Sequence, residues 1–488
     1  MQGKRIYGEA YLTIYLALCM TIMLSLCLTL IEGARRNAGK LETECITDMG
    51  LNSVMAEYHR ELFQQYNLLA IDSSYGTAMN GITNVERHLR RYLERNMSME
   101  DIFLEHYWYR DFLQLSLGEL QLTQVSILTD DGGRVFRQQA VEAIKDDIGL
   151  SLLQEMKEWL IVVESNELTE RDVFAQKQEV DRQIQEYDGI QVKVGENKWN
   201  TVQIENPTEK LEEKRKKGVL KLVIEKPEEI SSRAVNLEGL IEHRMRQGKV
   251  NQGNINQENM NAEELDLFSE RFFFQEYLLH YMGHYGAEKD ASALQYQLEY
   301  LIAGKNNDTE NLKSTVNSLL MLREAANAVY LFSDSEKCME AELIATAVAT
   351  LLTVPEIAGL LKASLLLGWA FAESLYDVKA LLNGARIPLL KDAETWHFGL
   401  QGALQLDELR SSGEGKGLSY EDYIRIFLCG IGEDVLTCRA MNMVEADIRL
   451  TPGNRQFRLD GCFEGIEAYI EVKSAFGSQY EMERSKFY

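Results

Sequence analysis

Residues 10–31 read AYLTIYLALCMTIMLSLCLTLI, 22 positions without a charge or a proline. As a helix this stretch rises ~33 Å, enough to cross a hydrocarbon layer of ~30 Å. It is longer than the apolar core of a signal peptide, and the following EGARRNAGK (32–40) offers no A-x-A cleavage site. The reading is an uncleaved transmembrane helix. Lys4 and Arg5 precede it and Arg35, Arg36 and Lys40 follow, so flanking charge gives no orientation. Gly8-Glu9 stands at its edge. There Glu9 either marks where water begins or pairs with a cation of a neighbouring subunit, which makes it the candidate membrane-edge and assembly residue.

Outward from this span, residues 1–9 form a short N-terminus and 32–66 a helical stalk. No proline interrupts 32–66, and Leu41, Cys45, Met49, Val54, Met55, Tyr58 and Leu62 recur at helical steps. Span and stalk together predict a rod over 10–66 of ~85 Å. Its apolar stripe is expected to pack on the chain's own body.

The whole chain has 488 residues with 51 Lys+Arg against 76 Asp+Glu, a formal net charge of −25. A composition 45% hydrophobic and 26% charged, with 5 prolines and 34 glycines, is that of a globular chain. So acidic a body argues against nucleic-acid binding and against docking along an anionic membrane face. Cys19 and Cys27 lie in the span; Cys45, Cys338, Cys429, Cys438 and Cys462 are scattered without C-x-x-C spacing. A disulfide scaffold is not expected, and nothing in the sequence supports a pair such as Cys429–Cys438.

Residues 67–260 read as an α+β region. FLQLSLGELQLTQVSILTDDGG (112–133) alternates as a strand with a slip at Gly118-Glu119 and a turn at Asp130–Gly133. Helices are predicted over 134–147 and 150–187, then a charged loop near 190–260 holding the basic patch Lys214–Lys217. Residues 261–445 form a helical region. Ser333 with Glu336 gives a capping-box pattern, and Pro355 opens a helix that runs to Leu382 and stops at Gly384. The apolar stretch 343–375 contains Glu356, Lys362 and Glu373, so a buried hairpin is favoured over a second membrane passage. Residues 446–488 are read as C-terminal β-strands, at 446–450, 456–459 and 466–475. The fold class is α+β, predominantly helical, with a small antiparallel sheet in the soluble body.

For chemistry, Glu276, His280 and His284 in QEYLLHYMGH fall at steps of four, on one helical face as a zinc site requires. The position of the general-base Glu in H-E-x-x-H is taken by Tyr281. Chance pairing is the preferred reading. No nucleophile elbow, P-loop or dinucleotide-binding glycine pattern occurs in the sequence. Asp130-Asp131 is read as a turn, and Trp369, Phe371 and Tyr376 as core. No catalytic, cofactor-binding or metal residue is assigned, and no enzyme is expected.

GEAYLTIYLALCMTIMLSLCLTLIEGAR (8–35) and ETECITDMGLNSVMAEYHRELFQQYNLLAID (42–72) resemble the start of a family of membrane-anchored proteins of unknown function in Gram-positive bacteria. EYLIAGK (299–305), LREAANAVY (322–330) and LLGWAFAESLYDVKALLNGARIPLL (366–390) are similar to later parts of it. The genes of that family tend to accompany those for Tad (tight adherence, Flp-type) pilus machinery. More loosely, Glu9-Ala10 before an apolar helix resembles TadE- and TadG-like pseudopilins. Counted from Gly8 or Gly3, the fifth position is Thr13 or Gly8 rather than Glu, a departure from the prepilin-peptidase pattern.

The resemblance implies a single-pass cell-membrane protein, N-terminus cytoplasmic and large C-terminal domain extracytoplasmic. It would be a non-enzymatic structural or assembly component of a Tad-type pilus or secretion apparatus, without cofactor. Its partners would be the lipid bilayer through 10–31 and Tad pilus proteins or further copies of itself, with Thr21, Ser25 and Thr29 as interhelical hydrogen bonders. The alternative is a membrane-tethered metal-dependent hydrolase using Glu276, His280 and His284.

Overall fold

The computed structural model describes residues 3–77, 79–98, 112–146, 148–193, 199–204, 208–216, 218–224, 226–250, 267–405 and 415–488. Among them are strands β1 (Ile71–Asp72), β2 (Leu115–Ile127), β3 (Gln191–Lys193), β4 (Trp199–Thr201), β5 (Cys462–Ser474) and β6 (Gln479–Phe487). Helix dominates the remainder, and the chain divides into two compact units.

The first unit gathers residues 1–136, 249–261 and 451–488. Its helices are α1 (Gly3–Met55), α2 (Arg60–Tyr66), α3 (Ile82–Met97) and the start of α4 (Asp130–Ile144). β5 is the central strand of an antiparallel sheet. β2 covers one edge along its length, while β1 and β6 pair with successive stretches of the other. The inward side chains of β5 (Ile466, Ala468, Ile470, Val472) meet Leu120, Leu122 and Val125 of β2. Over this face lie α3, through Val85, Leu89 and Leu93, and the second half of α1, through Ile46, Leu51 and Val54. Burial of these apolar side chains, at ~25 cal/mol per Å², is the main force holding helix to sheet. The expected slip in β2 is present: pairing shifts register between Leu117 and Leu120, around Gly118-Glu119. The expected turn is present too, with Asp131, Gly132 and Gly133 at φ of 50°, 70° and 88° before regular helix begins.

The second unit spans 137–248 and 262–450. It holds α5 (Leu150–Ser165), α6 (Val173–Gln185), α7 (Glu209–Lys216), α8 (Val219–Val223), α9 (Ile241–Arg246) and α10 (Leu267–Tyr281). There follow α11 (Gln297–Ala303), α12 (Asp308–Ser333), α13 (Ser335–Leu352), α14 (Ala358–Leu382), α15 (Leu400–Gln405), α16 (Tyr420–Cys429) and α17 (Glu433–Leu450). α14 is its central helix, packed by α6, α8, α12, α13 and α15. Its most apolar window is 72% buried, so it is a core helix, and Trp369, Phe371 and Tyr376 lie inside. Pro355 opens it through a 3-10 turn, and Gly384 follows its end at φ 85°.

Several expectations are corrected. The rod does not reach Tyr66: α1 ends at Met55, and after a turn His59 caps α2 by accepting the Leu62 N–H at 3.2 Å. Of the expected stripe, Val54, Met55 and Leu62 are buried, but Leu41 and Met49 are 62% and 47% exposed and Cys45 is exposed. The face that packs is Gly39, Thr43, Ile46, Thr47 and Gly50 instead. The helix over 150–187 is broken between α5 and α6, where the Asp172 carboxylate accepts the Ala175 N–H. Asp334, not Ser333, caps α13. The charged region 190–260 contains a β3–β4 hairpin and α7, α8 and α9, whose Leu211, Val223 and Ile241 are buried. Residues 446–450 are the last turn of α17, 456–459 form no strand, and β5 finds its C-terminal hairpin partner in β6. All seven cysteines are free thiols, Cys429 and Cys438 included.

Candidate functional site

The apolar half of α1 is the most distinctive feature of the first unit. Within this 53-residue helix, the described residues from Tyr11 onward include a window of mean hydropathy 2.4, none of it buried. Leu12, Leu16, Met20, Leu24 and Leu28 are each about two-thirds exposed. A helix so long and apolar fits a membrane anchor. The Thr21 and Thr29 hydroxyls donate to the carbonyls of Ala17 and Ser25 in their own helix, at 2.7 and 2.8 Å. Those two residues are therefore satisfied without a partner. Glu9 falls within α1, and its side chain lies outside the described residues.

Where the apolar run stops, the sheet begins to grip. Glu32 binds Arg35 and Arg36. The Arg35 guanidinium also lies 3.7 Å from the ring centre of Phe476, in the β5–β6 turn. At the next residue, the Tyr480 hydroxyl of β6 donates to the Arg36 carbonyl at 3.2 Å. At Gly39 a Cβ would press on that hydroxyl, so the tip of Tyr480 rests where the helix carries no side chain. Helical backbone is unbroken throughout this collar. The bare half and the packed half are one continuous helix.

The three residues expected to share a helical face do not come together. α10 stops at Tyr281, so His284 lies beyond it in a turn closed by reciprocal hydrogen bonds with Ala287, at 3.2 and 2.9 Å. His280 is exposed. Glu276 is buried and held by Arg425, Nε to Oε1 at 2.8 Å. Burial pushes its carboxyl above the ordinary range although Arg425 opposes this. His284 donates Nδ1–H to the Tyr285 carbonyl at 2.8 Å, and its Nε2 lies 3.9 Å from Glu421. Burial disfavours its charged form, but Glu421, Glu299 and the Tyr285 carbonyl outweigh that and raise its pKa. Arg425 further binds Glu421 and Asp422, both at 2.6 Å. Glu276, the one carboxylate among the three residues, already has a cation.

The deepest polar cluster joins α12, α14 and the chain after α14. Arg323, Glu373, Asp377 and Lys391 have fully buried side chains. Arg323 donates Nε and Nη2 to Asp377 at 3.0 and 2.9 Å, and Nη1 to the carbonyls of Pro388 and Leu389, both at 2.8 Å. Lys391 bridges Glu373 and Asp377. Glu373 also accepts the backbone N–H groups of His397 and Phe398, each at 3.0 Å. Despite burial, Arg323 and Lys391 hold the Asp377 carboxyl below its ordinary range. Glu373, Asp377 and His397 place ligand-type atoms within 4.8 Å of one another. The ammonium of Lys391 binds both of those carboxylates, and two cations balance two anions. The cluster pins the irregular segment 387–398 onto α14 and is architectural.

Sequence reasoning noted Glu373 as a charge in an apolar stretch but missed Arg323 and Lys391. Arg323 stands 54 positions before Asp377, and no local period links them. The available signal was that LREAANAVY and GWAFAESLYDVKALL each carry charges amid apolar residues, and these two segments meet in the cluster.

Neither a curated protein nor a solved structure matches the chain. Residues 197–474 match a family of unknown function, DUF5702. The match runs from just before β4 to the last residue of β5 and covers more than half of the chain. The chain is therefore a member of the DUF5702 family.

Proposed function

We propose that this protein is a non-enzymatic, single-pass component of a Tad-type pilus or secretion apparatus, structural or assembling in role. Residues 10–31 lie in the lipid, the N-terminus in the cytoplasm and the acidic body outside. The observation that supports this best is the jointless α1. Its apolar half is bare, and its other half is sealed into the sheet from Gly39 onward. A continuous helix sets the distance between the lipid and the sheet that grips it, which suits a scaffold. The filled carboxylate clusters at Glu276 and Glu373 favour the same reading over a metal-dependent hydrolase.

In a host that carries such pili, replacing the chain by a form lacking residues 1–31 is expected to abolish surface pilin. A secreted body without anchor that restores piliation would overturn the proposal.

A further inference from the structure

From Met20 to Cys45, the face of α1 that lies opposite the packed one is uncovered. Cys27, Ile31, Ala34, Ala38, Leu41 and Cys45 follow one another at alternating steps of four and three. The same register extends back through Leu24 to Met20, giving 26 residues and more than three heptads. Ile31 is 63% and Leu41 62% exposed, and Ala34, Ala38, Cys27 and Cys45 are exposed as well. Thr43 and Gly50, on the diametrically opposed line, are buried against the unit's own β6 and α3. Within the uncharged run 10–31 any register is apolar, so the 3.5 repeat is distinctive from Ile31 to Cys45, where it is the pattern of a helix that supercoils with another. Nothing in the unit's own core asks for it. Past Cys45 the next heptad position is Asp48, and Met49 takes over by a step of four.

We infer that α1 pairs in parallel with α1 of a second copy along the seam from Met20 to Cys45, half of it in lipid and half above. This rests on the anchored reading proposed above. Copies of a single-pass chain share one orientation, so identical seam residues meet at identical depth. Met20 to Ile31 then lie against hydrocarbon, and Ala34 to Cys45 against water, in both helices. In a parallel pair, the residue before each first core position faces the residue five further on in the other helix. That sets Asn37 opposite Glu42 of the other copy, Leu30 opposite Arg35 and Glu44 opposite Met49. No like charges meet, and the Asn37 amide faces a carboxylate acceptor. Ala34 and Ala38, four apart, let the helices approach closely where they leave the lipid. Above it, covering Leu41 and Met49 removes apolar surface from water.

The test uses the full chain in membranes, in a background with Cys19, Cys27, Cys45, Cys338, Cys429 and Cys438 replaced by serine, which leaves only the buried Cys462. Single cysteines are placed on the seam (Ala38→Cys, Leu41→Cys) and off it (Arg36→Cys, Lys40→Cys), and membranes are oxidised with copper phenanthroline. A carbonate wash first separates the two ideas, since a chain that stays in the pellet sustains the anchored reading whatever follows. The seam cysteines are expected to give a product at twice 55.8 kDa. Its yield should exceed that of the off-seam cysteines roughly ten-fold, as for thiols held at high effective concentration. Adding Leu41→Asp to Ala38→Cys is expected to abolish that product; Leu41 is exposed, so the fold of the unit is untouched. Equal yields on and off the seam overturn the inference, as does an adduct with a different protein only. A chain released into the supernatant overturns it together with the anchored reading.

Discussion

Lys391 shows how a single side chain decides what a carboxylate cluster is for. Its ammonium neutralises Glu373 and Asp377 in a site with no exposure, and removing one partner of a buried pair leaves the other uncompensated. Lys391→Met is therefore expected to cost about 3–5 kcal/mol, measured by denaturant unfolding of the detergent-solubilised chain. A loss below 1 kcal/mol would mean that the carboxylates are neutral without lysine. Glu464 at the start of β5 is a different case. It is 7% exposed, and burial followed by the neighbouring Asp130 raises its pKa to about 7, against the pull of Ser126. The native state thus keeps a proton that the unfolded chain releases above about 4.5. Its contribution is full below that pH and is lost as pH rises toward 7, an effect on the order of 3 kcal/mol. Glu464→Gln should flatten the fall in thermal stability between pH 5 and pH 8, and an unchanged slope would count against it. Little at this scale was legible beforehand. Glu276 and His284 stood at helical spacing, but α10 ends between them at Tyr281, and Arg425, 149 residues away, holds Glu276.

At the scale of elements, reading succeeded where apolar alternation or a long apolar run marks the element, and failed where polarity misleads. β2 and its bulge, α14 with its proline start, and the long α1 were all visible in apolar spacing. ADIRL (446–450) alternates like a strand, yet it ends α17, because the polar residue in its middle is interior. Asp447 accepts the Ala293 N–H and the Gln297 amide, both at 2.6 Å. β6 was invisible for the opposite reason. Only Met482 among its side chains is buried, and Glu481, Glu483, Arg484 and Lys486 are the charges expected of an edge strand. Packing of α1 on α3 leads to a further expectation. A Cβ at Gly50 would lie 2.6 Å from Cδ2 of Leu93. Alanine there asks only a flexible methyl to move, whereas Gly50→Leu forces the helices apart, at about 1–3 kcal/mol by overpacking. Thermal unfolding checks it, and a leucine variant as stable as the parent would show that the α1–α3 contact yields freely.

Over the whole molecule, charge and hydropathy are divided by position. Residues 1–40 carry five basic and two acidic side chains, while the chain as a whole has a formal charge of −25. The apolar stretch between the basic clusters is bare along its length, and the sheet closes on the same helix directly after it. A soluble protein would expose that stretch to water at a large cost in free energy. Lipid would remove that cost, and flanking charge alone leaves the orientation open. Treating intact protoplasts with an external protease, and following a tag at the C-terminus, measures anchorage and orientation together. The account predicts that the tagged body is digested while a membrane-bound N-terminal fragment survives. A tagged chain that stays whole until the protoplasts are lysed, or that fractionates with the cytosol, would contradict it.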